Sequence, residues 1–445
     1  MLFEQFLDDE LGCASYLVGD EDAGIAAVVD PPYAIGPVIA AAARRGVRIV
    51  RTLETHTHAD HLSGHGRLAL DHRIPVSIHP AAEAAYRHDP LDDSSEIELG
   101  RVLLRAIHTP GHRPEHTCLA VADRSRTDEP WLVLTGDSLF VGDTARPDLA
   151  VASKEGAEGL FHSLRRLLEL PDGVEVFPGH VAGSLCGKRM SSKASSTIGF
   201  ERRFNDALQI DDEREFVVRA ASVGAPKPPN MARLVELNRG PFVGAVAEVA
   251  ELPARPPGAT ILDVRSIEDF LAGHAESAIS VPLAGGSFGT KAGFVLDPEA
   301  AIVVAASTEE EAGHAVRGLQ AVGFLELSGY VLGGGPEQMR PVSLDELEAL
   351  LQAGADLIDV RERDERDSGY IAGSRNIPYR LLAHGGADLP GERPIVTICE
   401  TGARAGIAAS LLAGRGFDAR PVLEGGVPAW SARGGQTVEF RRCGS

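Results

Sequence analysis

The segment His56-Thr57-His58-Ala59-Asp60-His61 sets three imidazoles and a carboxylate within six residues. Polar groups packed that closely would pair poorly with one another, and a transition-metal ion resolves the conflict. Three later positions can complete the set. His112 closes Thr109-Pro110-Gly111-His112, Asp137 closes Thr135-Gly136-Asp137, and His180 closes Pro178-Gly179-His180. Each follows a strand-like run and stands beside a glycine, which permits a tight turn and close approach of the backbone. A different chemistry lies near the other end of the chain. Cys399-Glu400-Thr401-Gly402-Ala403-Arg404 follows the apolar run Ile395 to Ile398 and precedes a helix-compatible run, Ala405 to Leu412. The N–H groups of such a loop form an anion cradle at a helix N-terminus, and that field, with Arg404, favours a cysteine thiolate.

These residues need elements to hold them. Val47 to Leu53 alternates apolar side chains, as a half-buried strand requires. His56 and His58 then fall at a strand end, and Asp60 and His61 where a helix can begin. Ile25 to Val29 and Leu132 to Leu134 are expected as buried strands, and Leu160 to Leu170 has helical spacing. Gly224-Ala225-Pro226-Lys227-Pro228-Pro229-Asn230 excludes regular helix or strand and marks a loop shortly before a domain boundary near residue 240.

The rest of the chain contains a diverged repeat. Ile261-Leu262-Asp263-Val264-Arg265 recurs as Leu357-Ile358-Asp359-Val360-Arg361, an offset of 96 residues (263 to 359), which Pro282 and Pro378 share. Gly323-Phe324 recurs as Gly416-Phe417, an offset of 93 (323 to 416), so the first copy carries three extra residues between these anchors. Each copy has the length of one small α/β domain, spanning 241–338 and 341–440. Apolar strands such as Ile395 to Ile398 imply a parallel sheet buried on both faces. By the later offset, Ala306 and Glu311 take the places of Cys399 and Arg404. The first copy therefore lacks the nucleophile and is expected to be catalytically dead.

Composition narrows the function classes. A length of 445 residues suggests two to four domains, and 44 % hydrophobic residues allow ordinary cores. A net charge of −21 argues against a nucleic-acid partner. Five widely spaced cysteines (Cys13, Cys118, Cys186, Cys399, Cys443) suggest a reducing compartment rather than a disulfide framework. The first ten residues lack a basic signal-peptide region, and no apolar run is long enough to cross a membrane. The expectation is a cytoplasmic protein. The oligomeric state stays open, a homo-oligomer included.

Over residues 1 to 240 the motifs resemble the metallo-β-lactamase superfamily, which implies an αββα sandwich. A two-zinc hydrolase of that superfamily would hold one metal with His56, His58 and His112 and the other with Asp60, His61 and His180, bridged by Asp137. The same residues can hold a single iron through His56, His112 and Asp137, a facial triad with open positions for substrate and oxygen. Two longer stretches resemble the persulfide dioxygenase branch. They are Thr135 to Asp143 with Arg146-Pro147-Asp148-Leu149, and His180 with Gly183-Ser184-Leu185-Cys186-Gly187-Lys188 and Ser196 to Arg202. Arg113, Ala145 and Val181 depart from the branch's usual residues beside the ligands. The resemblance implies one Fe(II) per chain and oxidation of a thiol persulfide by O₂ to sulfite. His58, Asp60, His61 and His180 would then orient ligands or move protons, Arg146 and Lys188 would steer an anionic thiol carrier, and Cys186 would exchange sulfur with the substrate. Zinc is the alternative metal, in a thioester hydrolase resembling glyoxalase II.

The Cys399 loop resembles the rhodanese active site, supported by Asp359-Val360-Arg361, Asn376-Ile377-Pro378 and Gly425-Gly426-Val427-Pro428-Ala429-Trp430. Four residues separate Cys399 from Arg404, one fewer than in a cysteine phosphatase cradle. The resemblance implies that Cys399 carries a persulfide exchanged with thiosulfate, sulfite or a thiol. The whole chain thus reads as an N-terminal αββα domain followed by two α/β rhodanese-like domains.

Overall fold

The computed structural model describes residues 1–181, 190–222, 226–383, 385, 389 and 393–440. Cys186 and Lys188 lie outside the described residues. The chain divides into two compact units, 1–246 with 320–323, and 247–319 with 324–445. The second copy of the repeat falls wholly in the second unit and so does most of the first, whose residues 241–246 and 320–323 belong to the first unit.

In the first unit, β1 (Leu2–Asp8), β2 (Cys13–Asp20), β3 (Ile25–Val29), β4 (Arg48–Leu53), β5 (Val76–Ile78) and β6 (Asp89–Pro90) form one sheet in chain order. A second sheet uses β7 (Glu96–Leu99), β8 (Val102–His108), β9 (Thr117–Asp123), β10 (Leu132–Gly136), β13 (Glu175–Pro178) and β14 (Ser196–Thr197), in the order 14-13-10-9-8-7. A small hairpin, β11 (Leu139–Phe140) with β12 (Asp143–Thr144), follows β10.

Side-chain alternation sets the layers. Tyr16 and Val18 of β2 face Leu104, Leu119, Val121 and Leu134 of the other sheet. Leu17, between them, points the opposite way onto Val38, Ala41 and Leu68, from the helices Gly36–Arg45 and His65–His72. On the far side of the second sheet, Val133 and Ala120 meet Leu160, Leu164 and Leu167 of the helix Ser153–Leu167. The order is helix, sheet, sheet, helix, the expected αββα sandwich. That last helix begins earlier and ends sooner than its apolar spacing suggests, because Leu168 to Leu170 close it in turns ahead of Pro171.

The second unit contains two four-stranded parallel sheets. The first has β15 (Thr260–Asp263), β16 (Ile279–Ser280), β17 (Ile302–Ala306) and β18 (Leu327–Leu332), ordered 16-15-17-18. The second has β19 (Asp356–Asp359), β21 (Arg375–Asn376), β22 (Ile395–Ile398) and β23 (Ala419–Pro421), ordered 21-19-22-23. The short pair β20 (Tyr370–Ile371) and β24 (Thr437–Val438) stands apart. The two orders are the same, and so is the register. Asp263 pairs with Ala305 as Asp359 pairs with Ile398, which puts Ala306 in the place of Cys399. Each copy also carries the same clip. Arg265 Nη2 donates to Asp263 Oδ2 and to the Gly273 carbonyl, both at 2.7 Å, and Arg361 does the same with Asp359 and Gly369.

Candidate metal centre and thiol loop

Four strands of the sandwich deliver the candidate ligands from their C-terminal ends. β4 leads to His56, β8 to His112, β10 to Asp137 and β13 to His180. Two glycines let the strand ends close in. Gly136 has φ +46°, and a Cβ there would lie 2.7 Å from His116 Nε2 and 2.8 Å from Thr55 Oγ1. A Cβ on Gly179 would lie 2.6 Å from Asp137 Oδ1.

His56, His112 and Asp137 come together, all buried, with donor atoms within 4.8 Å of one another. Nε2 of His112 lies 3.5 Å and Nε2 of His56 3.9 Å from Asp137 Oδ2. That oxygen has no hydrogen-bond partner among the described residues, although burial makes an orphaned acceptor costly. The far side of each ring fixes its tautomer. Thr55 Oγ1 donates its one proton to Asp30 Oδ2 at 2.8 Å, so it must accept from His56 Nδ1, 2.9 Å away. His112 Nδ1 donates to the Arg146 carbonyl at 3.2 Å. Both Nε2 atoms are thus left with bare lone pairs facing Asp137. Burial, reinforced by neighbouring histidines, drives His56 well below the ordinary histidine range, and burial also lowers His112. Burial pulls Asp137 upward, but the charge and hydrogen bond of His180 outweigh it and leave it ionised, at about 2. Two neutral imidazoles and a carboxylate form the donor set of a divalent metal ion.

A neighbouring cluster is built differently. His180 donates from Nδ1 to Asp137 Oδ1 at 2.7 Å and from Nε2 to Asp60 Oδ2 at 2.5 Å, so both ring nitrogens are engaged. His61 Nδ1 lies 3.3 Å from Asp60 Oδ1. Cys13 Sγ completes this cluster, 3.3 Å from His180 Nε2 and 3.5 Å from His61 Nδ1.

His58 departs from the two-zinc expectation, which grouped it with His56 and His112. Its Nε2 turns instead to Asp30 Oδ1 at 3.2 Å and Glu54 Oε2 at 3.3 Å. Burial opposes a charge there, but the two carboxylates prevail and lift His58 to about 9. The helix expected at Asp60 and His61 starts only at His65. Side chains occupy the backbone that would have made it. Asn238 Nδ2 donates to the carbonyls of His58 and His61, while Asn238 Oδ1 accepts from Ser63 N and Glu115 Oε1 from Thr57 N. Arg146, expected to steer substrate, is buried, with its guanidinium on Asp148 at 2.7 and 2.8 Å.

Sequence reasoning missed Cys13, Asp30, Thr55 and His116. His116 Nε2 accepts the Asp137 N–H at 2.9 Å, and burial lowers its pKa to about 3. Asp30, at φ +47°, was signalled only by an acid directly after the apolar strand β3.

The Cys399 loop joins β22 to the helix Ala403–Ala413. Cys399 is buried, and its Sγ accepts the Gly402 N–H at 3.1 Å. Arg404 does not stand alone beside the thiol, because its two Nη atoms bind the Glu365 carboxylate at 2.7 and 2.6 Å. In the first copy the equivalent loop is occupied by its own side chain, with Glu311 Oε2 accepting from Ser307 N at 2.5 Å.

A model of the metallo-beta-lactamase superfamily matches residues 8–180, the span that holds the whole metal face. An uncharacterized protein of Mycobacterium leprae is 31 % identical over 236 residues, 47 % of this chain and 99 % of its own length. The chain belongs to the metallo-β-lactamase superfamily. This superfamily member is also similar to the human mitochondrial persulfide dioxygenase ETHE1, 27 % identical over 240 residues, 54 % of this chain and 87 % of that one. A crystal structure of a metallo-beta-lactamase from Staphylococcus aureus aligns with a TM-score of 0.69 and 28 % identity, over 75 % of this chain and 98 % of that one. Behind the superfamily domain, a rhodanese-like domain model matches residues 343–433, which include Cys399 and Arg404. No helix among the described residues is long and apolar enough to cross a membrane.

Proposed function

We propose that the chain is a non-haem iron persulfide dioxygenase fused to a rhodanese sulfurtransferase. The observation that carries the first half is the buried, unpartnered Asp137 Oδ2 facing two imidazole Nε2 atoms. His56, His112 and Asp137 would hold one Fe(II), and the likeness to persulfide dioxygenases supports iron over zinc. Bound iron supplies the redox chemistry by which a thiol persulfide, O₂ and water give a thiol and sulfite. The surrounding residues do the rest. Asp30, through Thr55, keeps the His56 proton on Nδ1. The Arg146 carbonyl does the same for His112. Asp60 and His180 hold a proton against Asp137 Oδ1, within reach of the metal face.

Cys399 would carry sulfane sulfur delivered by thiosulfate or a persulfide. Residues 1–240 form the dioxygenase domain, 341–440 the active rhodanese domain, and 241–338 a degenerate rhodanese copy. The copy's lost cysteine and self-occupied loop support a spacer role. Three described cysteines, Cys13, Cys118 and Cys399, are free, in keeping with a cytoplasmic setting. The test is O₂ uptake by the iron-loaded chain against a panel of thiol persulfides, with sulfite measured. In parallel, Cys399→Ser should abolish sulfur transfer while leaving O₂ uptake in place.

A further inference from the structure

The second unit carries more information about the charge its sulfur donor brings. Around the Cys399 loop, three guanidiniums already have carboxylates. Arg361 binds Asp359, Arg380 spans Glu362 at 2.9 and 3.1 Å, and Arg404 spans Glu365. These pairs lie close enough to feel one another. Glu365 feels the Arg361 charge, and Tyr379 feels the charges of Arg404, Glu362, Arg380 and Glu365. One acid is left over. Glu400, directly after the cysteine, reaches only the guanidinium that Glu365 already holds, at 3.7 Å. These three pairs cancel and Glu400 leaves the set net negative, beside a helix N-terminus that would otherwise draw anions.

We infer that Cys399 exchanges sulfur with thiol persulfides and thiols of low charge rather than with the dianions thiosulfate and sulfite, and that Glu365 sets this preference by occupying Arg404. The inference rests on the sulfurtransferase reading and names its substrate class. In the loading step the Cys399 thiolate attacks the outer sulfur of R–S–SH. The donor's S–S bond breaks, a Cys399 Sγ–S bond forms, and the departing thiolate keeps the electron pair and takes a proton from water. An acceptor thiolate reverses the step, so no net oxidation occurs. A thiosulfate donor would instead bring two negative charges to an acidic rim, a cost of about tenfold in rate at ordinary ionic strength. The metal domain's proposed substrate and this loop's donor would then be the same class of compound.

The experiment is single-turnover loading of Cys399 in the full chain, followed by intact mass, with thiosulfate or with 2-mercaptoethanol persulfide. The unaltered chain should load faster from the persulfide. Glu365→Gln, which keeps the side chain's reach to the Glu362 N–H, should raise the thiosulfate rate about tenfold and move the persulfide rate less than about twofold. Glu400→Gln, at an exposed position, should raise the thiosulfate rate about threefold and checks the result should Glu365→Gln fold poorly. Equal gains for both donors, or a thiosulfate rate indifferent to both variants, would overturn the preference while leaving the sulfurtransferase standing. If neither donor loads Cys399 in the unaltered chain or in either variant, both readings are overturned.

Discussion

Two clusters share Asp137, and they are prepared for different tasks. On its Oδ2 side, His56 and His112 are neutral, their tautomers are pinned from behind, and an acceptor lacks a partner. On its Oδ1 side, His180, Asp60, His61 and Cys13 contact one another, and both nitrogens of His180 face carboxylates. The superfamily can place a metal on each side. One side leaves an acceptor unpartnered and the other is joined by its own hydrogen bonds, although Cys13, Asp60 and His61 also bring donor atoms within 4.8 Å of one another; the one-metal proposal gives the first side to the ion and the second to a proton-holding network.

The comparison breaks most severely at the shared residue. Asp137→Ala should cut bound iron to under about a tenth and persulfide-dependent O₂ uptake by about 10³-fold, read by metal analysis and an oxygen electrode. Full iron loading in that variant would mean the Oδ2 side is not the metal face. A second variant separates His58 from the ligands. Its folded pKa, near 9, lies above its unfolded value near 6.5, so its charge stabilises the metal-free protein fully below pH 6.5 and that stabilisation fades as pH rises through 9. His58→Gln should therefore cost about 2–3 kcal/mol in urea denaturation at pH 6.5 and much less at pH 9.5. A pH-independent cost would remove the charge from the account.

The Oδ1 side should behave otherwise. Asp60→Asn is expected to keep one iron per chain while lowering O₂ uptake about 10- to 100-fold, because it weakens the proton held by His180. Loss of the iron itself would make Asp60 a ligand. The smallest effect is expected behind the ring of His56. Asp30→Asn should weaken iron binding about tenfold, measured by chelator competition, and leave Cys399 loading unchanged.

Much of the open side was legible from residue type and position. A histidine or aspartate at a strand end beside a glycine predicts where a donor group goes, and His56, His112 and Asp137 met as expected. The closed side was less so, because its contacts depend on which strand ends the sandwich brings together. Cys13 and His180 are 167 residues apart and meet only through pairing of those two residues. Asp30 reaches Thr55 only because β3 and β4 run in parallel register. The repeat was visible from its offsets, and the two stretches share one sheet order and register. The charge state around Arg404 was not, since Glu365 lies 39 residues earlier on another element. The delayed helix at His65 follows from Asn238, a residue far along the chain that ties down backbone the local pattern left free.

The central claim is one redox-active metal on the open side of Asp137. The direct measurement is metal content together with persulfide-dependent O₂ consumption on the same iron-loaded preparation. One iron per chain is expected, with sulfite formed in proportion to the O₂ consumed. Two zincs per chain, with no O₂ uptake when a thiol persulfide is added, would contradict it.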